Sequence, residues 1–314
     1  MSALFTIILP VFLVVGFGYL VAWRGWFKPG AVDGLMNFAQ SFAVPTLLFA
    51  SMARLDLGSE FRAQLLVPFY AGAFGGFAAG WAGARFIFRR SGVESVAIGF
   101  VCLFSNSLLL GVPITERAYG SDALTGNWAI IALHSPMLYT FGITVMEFTR
   151  ARGTGLSAGR VALRALSGVL RTSLVIGILA GLTMNLLMQA GLVMPQGFWD
   201  AVDMVARAAL PAALFGLGGI LHRYRPEGDM ATIAMCCAVS LILHPAITFG
   251  MAAALGLDVA GMRSAVLTAA MAPGVNAYLF ANIYGAARRV AASSVLLATG
   301  LSTLTVWMWL SVLP

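Results

Sequence analysis

The 314-residue chain is 60% apolar and only 10% charged, with a mean hydropathy of +0.90. A soluble globular domain carries roughly 25% charged residues, so there is too little charge here to cover a water-facing surface. The net charge of +7 sits in short segments between apolar runs, where it reads as a membrane-orientation signal and not as a nucleic-acid surface.

A membrane helix with its connection uses about 30 residues, so the length holds about ten spans. In chain order they are predicted at 4–23, 34–53, 64–87, 94–119 and 126–148, then at 170–190, 199–221, 231–255, 262–284 and 290–312. The first apolar run lacks a basic leader and exceeds signal-peptide length, so it is read as the first span. Trp23, Trp26, Trp307 and Trp309 lie near predicted boundaries, where an aromatic belt accounts for them. Cys102, Cys236 and Cys237 have no Cys-x-x-Cys or Cys/His spacing and read as small buried hydrophobes. No metal site or other cofactor is expected.

With both termini outside, 14 of the 19 basic residues fall on inside segments, as the positive-inside rule requires. The longest such segment, around 149–171, carries five Arg and no acid at the midpoint of the chain. An odd number of spans before it orients the two halves oppositely, the layout of an inverted repeat. The expected organisation is a first repeat over 1–149, a basic cytoplasmic loop over 150–169 and a second repeat over 170–314. Sequence echoes agree with it. Pro45-Thr46-Leu47-Leu48-Phe49 in the second span matches Pro211-Ala212-Ala213-Leu214-Phe215 in the seventh, and Tyr119-Gly120 matches Tyr284-Gly285 at the ends of the fourth and ninth.

The fourth and ninth spans are interrupted. One contains Ser105-Asn106-Ser107 and then Gly111-Val112-Pro113; the other contains Pro273-Gly274-Val275-Asn276. Proline removes a backbone donor and glycine adds freedom. Unsatisfied backbone groups cannot face lipid, so both breaks must be covered by protein or line a wet cavity. A single proline kink is ordinary in a membrane helix. Two at corresponding positions of opposed halves point to a midplane site, where half-helix N-termini direct free N–H groups at an anion.

The run Asn106, Gly111-Val112-Pro113-Ile114 and Tyr119-Gly120 resembles the signature of the auxin efflux carrier family, which includes plant auxin carriers and bacterial organic-acid permeases. Met271-Ala272-Pro273-Gly274-Val275 with Ala281-Asn282-Ile283-Tyr284-Gly285 is similar to that family's second crossover helix. The resemblance covers nearly the whole chain, without the long hydrophilic midloop of many plant members. It implies an all-α integral membrane carrier of ten helices, built as two inverted five-helix repeats with the fourth and ninth crossing at Pro113 and Pro273. By similarity, spans 1, 2, 6 and 7 form a scaffold, and spans 3–5 and 8–10 form a unit that moves as an elevator, as in bile-acid sodium symporters. The substrate carboxylate is implied to rest against Asn106 with its neighbour Ser105, the backbone of Gly274, Val275 and Asn276, and a polar position on span 5. That position holds His134 here, in place of the plant carriers' amide. The implied partners are a small organic anion such as malonate or an auxin-like monocarboxylate, membrane lipid and a second copy of the chain.

Few ionisable groups lie at membrane depth. His134 is read either as a donor or proton carrier for a carboxylate, or as a neutral helix–helix contact. His244, before Pro245, and Glu147, beside Arg150, are read as structural. Asn37, Gln40 and Ser41 are candidates for a gate facing the substrate, and packing hydrogen bonds explain them equally well. No phosphate-binding Gly-rich loop with Lys exists; the one lysine is Lys28. Transport driven by a proton gradient, or uncoupled, ranks ahead of sodium because no acid marks the breaks. The rival readings are an intramembrane enzyme, for which the sequence offers no acid pair or metal motif, and a ligand-sensing receptor, for which it offers no output domain. A bacterial inner membrane with both termini periplasmic is the expected location.

Overall fold

The computed structural model describes residues 4–151 and 171–314, so most of the basic loop expected over 150–169 lies outside the described residues. The described residues are helical, and a helical segment lies at each predicted span. Among the described residues, seven helices are long and apolar enough to cross a membrane: α1 (Phe5–Trp23), α2 (Pro29–Ala53), α3 (Ala63–Ile87), α6 (Ser121–Arg150), α8 (Gln196–Arg223), α9 (Met230–Ala254) and α12 (Arg288–Val312). Between them lie α4 (Gly92–Leu103), α5 (Val112–Tyr119), α7 (Ser173–Gln189), α10 (Val259–Ala269) and α11 (Val275–Ile283).

Local chemistry sets the boundaries. Helix α2 begins before its predicted start at 34, because Lys28 is extended and Pro29 occupies the first turn, where a missing N–H leaves nothing unsatisfied. A capping box opens α4: the Ser91 hydroxyl accepts from the Glu94 N–H at 3.2 Å, and the Glu94 carboxylate accepts from the Ser91 N–H at 3.3 Å. Asp229 and Asp258 cap α9 and α10 in the same way.

Wide π-turns recur in the turn before a proline. They span Leu4–Ile8 before Pro10, Ala39–Ala43 before Pro45, Ser107–Gly111 before Pro113 and Val239–Leu243 before Pro245. A proline ring clashes with the carbonyl one turn back, and opening that turn relieves the clash without breaking the helix.

Helix α1 packs along α8, and α2 packs against both α7 and α8. The α1–α8 crossing has backbone touching backbone, since a Cβ on Gly18 would strike the Phe215 carbonyl and one on Gly218 the Val15 carbonyl. Such close approach gives helices without a hydrophobic driving force in lipid their dispersion contact. Asn185 on α7 donates to the carbonyls of Met52, Ala53 and Leu55 at 2.7–3.1 Å, closing the end of α2 that has no intrahelical partners. Among the remaining helices, α3 packs on α4 and α9, α6 on α4 and α10, and α11 on α4 and α12. The candidate site lies where α2 and α7 meet α6 and the segments that follow α4 and α10.

Candidate functional site

Helix α4 ends at Leu103, and the chain runs through Phe104, Ser105 and Asn106 before turning into Ser107–Gly111 and α5. Helix α10 ends at Ala269, and Gly274 is the extended residue that starts α11. The two gaps meet. Ser105 and Pro273 form an antiparallel bridge, the Asn106 N–H donates to the Ala272 carbonyl at 2.8 Å, and the Gly274 N–H donates to the Phe104 carbonyl at 2.9 Å. Each break therefore satisfies the other's backbone, as burial in an apolar medium demands.

The expectation that the crossing falls at both prolines is half corrected. Pro273 is at the crossing, but Pro113 is not. It follows directly on the π-turn Ser107–Gly111, whose widened turn accommodates its ring inside a continuous helical run, and it lines a different recess with Glu116 and Arg117. That span is severed about two turns earlier, where the partner backbone supplies the hydrogen bonds its own helix gives up.

A cavity of about 100 Å³ abuts the crossing. Of the nine predicted site residues, Gln40, Ser105, Asn106, His134, Gly274, Val275 and Asn276 line it; Pro113 and Pro273 do not. Its floor is the start of two half-helices: Ser107, Leu108 and Leu109 from one, Val275 and Asn276 from the other. The first N–H groups of a helix have no intrahelical acceptor, and no side chain caps either start. These ends present partial positive charge to the cavity. Apolar walls come from Val44 and Leu48 on α2, Ile131 on α6, and Leu174 and Ile178 on α7.

The polar side chains divide into fixed and free. Ser105 and Ser107 hydroxyls are 2.8 Å apart, and the Tyr139 hydroxyl donates to the Asn276 carbonyl at 3.2 Å, holding the start of α11. The His134 ring stands edge-on to Phe104 with centroids 4.5 Å apart, and its buried Nε2 has no hydrogen-bond partner. An unpaired buried polar atom is destabilising unless a ligand or water completes it. His244 lies on the far side of Phe69, which packs against both histidines at 5.7 and 5.6 Å. It is buried at the first turn after a π-turn and does not line the cavity. Taken together, two helix starts, three amide side chains and one imidazole, in an apolar wall without a carboxylate, suit a small anion.

The sequence profile of the family described as "Membrane transport protein" matches residues 3–310. The chain belongs to this auxin efflux carrier family of membrane transporters. It is 26% identical over 309 residues to the "Putative malonate transporter" of Rhizobium meliloti (strain 1021), covering 98% of this chain and 94% of that one. It is 21% identical over 306 residues to "Uncharacterized transporter YfdV" of Escherichia coli (strain K12), covering 97% and 96%. A shorter match, 28% identical over 159 residues, joins it to "Auxin efflux carrier component 2" of Oryza sativa subsp. japonica, covering 46% of this chain and 24% of the plant protein.

Other polar residues of the transporter have local roles. Ser41 donates to Asn37 at 3.0 Å, so this pair satisfies itself, while Gln40 reaches the cavity. Glu147 pairs with Arg150 at 3.6 Å. Arg54 forms a two-pronged pair with Asp203 at 2.8 and 3.0 Å, and Arg117 donates to the Thr6 and Ile7 carbonyls, so both are structural ties. One residue escaped sequence reasoning altogether. Asn127, fully buried on α6, donates to Thr115 on α5 at 3.3 Å and to Thr268 on α10 at 2.9 Å. It ties both severed spans together behind the cavity. The available signal was an amide inside an apolar run, which marks a buried hydrogen bond but not its partners.

Proposed function

We propose that this transporter carries a small organic anion, a carboxylate such as malonate or an auxin-like monocarboxylate, and binds it at the crossing of the two severed spans. The observation that carries the reading is the cavity itself, with two uncapped helix starts and the side chains of Asn106, Asn276, Gln40 and His134 around one small space. A carboxylate there accepts from N–H groups that have no other partner, with Asn106 and the orphaned His134 Nε2 completing its oxygens. The name of the bacterial relative with the longer match supports a short dicarboxylate.

The packing supports a ten-span inverted repeat. Span 1 on span 7 and span 2 on span 6 are reciprocal contacts, as a two-fold relation between the halves requires. In this reading α1, α2, α7 and α8 are the scaffold, and the other helices are a rigid body that carries the crossing past the apolar wall of α2 and α7. Elevator motion of that body gives alternating access. A proton on His134 is the favoured coupling ion.

Malonate uptake into proteoliposomes tests both parts. Wild-type protein is expected to accumulate malonate, faster with an inward proton gradient. His134→Gln keeps a hydrogen-bonding side chain without a titrating nitrogen, so its uptake is expected to lose the gradient dependence and persist at the uncoupled rate. Uptake by His134→Gln that still follows the gradient would assign coupling elsewhere.

A further inference from the structure

A separate cavity of about 340 Å³ lies where α8 ends and α12 begins. Its lining gathers Arg225, Arg288 and Arg289 against a single carboxylate, Glu227. Arg223 also borders it but is committed to Asp33 at 2.7 Å and to the Pro29 carbonyl at 2.8 Å. Arg289 reaches Glu227 only at 3.9 Å, and among the described residues Arg225 and Arg288 have no partner.

Three features are unexplained by orientation in the membrane alone. First, Tyr224 lines the cavity and is 9% exposed, yet its hydroxyl has no hydrogen-bond partner among the described residues. Burial, and then the neighbouring Tyr278, whose ring is tilted against it at 4.8 Å, push its phenol up, so it stays a donor at neutral pH. Second, Arg288 and Arg289 occupy the first turn of the 25-residue α12, with no acid in that turn. Cations there oppose the helix dipole, and they follow Ala287 in the left-handed region at φ 50. Third, the loop carrying Arg225 is fixed. Ser293, fully buried on α12, donates to the Arg225 and Glu227 carbonyls at 2.9 and 2.8 Å and accepts from the Glu227 N–H at 3.0 Å. Three guanidinium groups thus border one recess whose single carboxylate is Glu227, a setting in which charge-assisted hydrogen bonds hold an oxyanion.

We propose that this cavity binds a phosphate group, presented by an anionic phospholipid headgroup or as free inorganic phosphate, on Arg225, Arg288 and Arg289 with the Tyr224 hydroxyl as an additional donor. The ends of α8 and α12 place it at headgroup depth, where basic pockets between helices take lipid phosphates. The site is independent of the crossing, and Asn106→Ala is expected to leave it intact.

Two arms test it on the full-length protein. In detergent at constant ionic strength, inorganic phosphate is titrated calorimetrically. In nanodiscs of phosphatidylcholine, with or without phosphatidylglycerol, thermal unfolding is measured. Binding of inorganic phosphate identifies free phosphate as a source, and a higher Tm only with phosphatidylglycerol identifies the headgroup. In whichever arm responds, Arg225→Gln/Arg288→Gln is expected to weaken binding about tenfold or more, or to erase the Tm rise. Tyr224→Phe, a smaller disturbance of the fold, is expected to reduce it in the same direction. Arg24→Gln/Arg89→Gln removes the same charge from the same face and is expected to change nothing. The proposal is overturned if neither arm responds, if Tyr224→Phe and the cavity double variant respond as wild type, or if the control pair loses the response equally.

Discussion

The two severed spans do the same job by different means. The second is cut where the sequence says, at Pro273-Gly274, where the proline has no backbone donor and the glycine weakens a helix. The first is cut at Phe104–Asn106, which contains no helix breaker, while its proline sits harmlessly in the next helix. Each gap pairs with the other through Asn106 to Ala272 and Gly274 to Phe104. The position of a break in lipid is therefore set by where a partner backbone is offered, and a proline marks only one place where a break is cheap. The halves also differ in what they give the cavity: the first supplies hydroxyls and an amide from Ser105, Asn106 and Ser107, the second mainly a bare helix start.

That contrast can be broken experimentally. The largest effect is expected at Gly274, where a Cβ would sit 3.6 Å from the Asn106 Cα and 3.7 Å from a Phe104 ring carbon. Those are ordinary contacts, so Gly274→Ala should fold and transport, whereas the branched bulk of Gly274→Leu should spread the crossing and lower malonate uptake by about 100-fold or more. Comparable uptake by the two variants would mean that the backbone crossing does not shape the site. Next is Asn106→Ala, which removes a side chain offered to the carboxylate but keeps its N–H bond to Ala272. A buried polar partner is worth about 1–3 kcal/mol, so the half-saturating malonate concentration should rise about 5- to 150-fold with Tm nearly unchanged. Asn127→Ala should show the reverse pattern. Its loss leaves Thr115 and Thr268 without their shared donor, destabilising by about 1–3 kcal/mol, so Tm falls while malonate affinity holds. The smallest effect is expected for Pro113→Ala. The π-turn Ser107–Gly111 already accommodates the ring, so stability should move by about 1 kcal/mol or less and uptake should stay near wild type. Loss of transport in that variant would restore Pro113 to the crossing.

Of the site, the sequence showed the actors that carry an unusual chemistry for their surroundings. Asn106, His134 and Pro273-Gly274 stand out because amides, imidazoles and helix breakers are costly in an apolar run. Leu174 and Ile178 could not be found, since an apolar residue facing a cavity looks the same as one facing lipid. Asn127 was missed because its two threonine partners come from helices before and after it in the chain. Arg225, Arg288 and Arg289 read as orientation charges, and only their convergence on one cavity sets them apart.

Composition and period fixed the membrane class and the helical segments, because burial in lipid leaves a chain few ways to satisfy its backbone and each way repeats along the sequence; the family rested on the motifs around Asn106–Pro113 and Pro273-Gly274. The tertiary structure decided where the first span is cut, which residues face one another across the cut and which walls close the cavity. Those depend on hydrogen bonds between segments from opposite halves of the chain, and a linear pattern records the need for such a bond without recording who meets it.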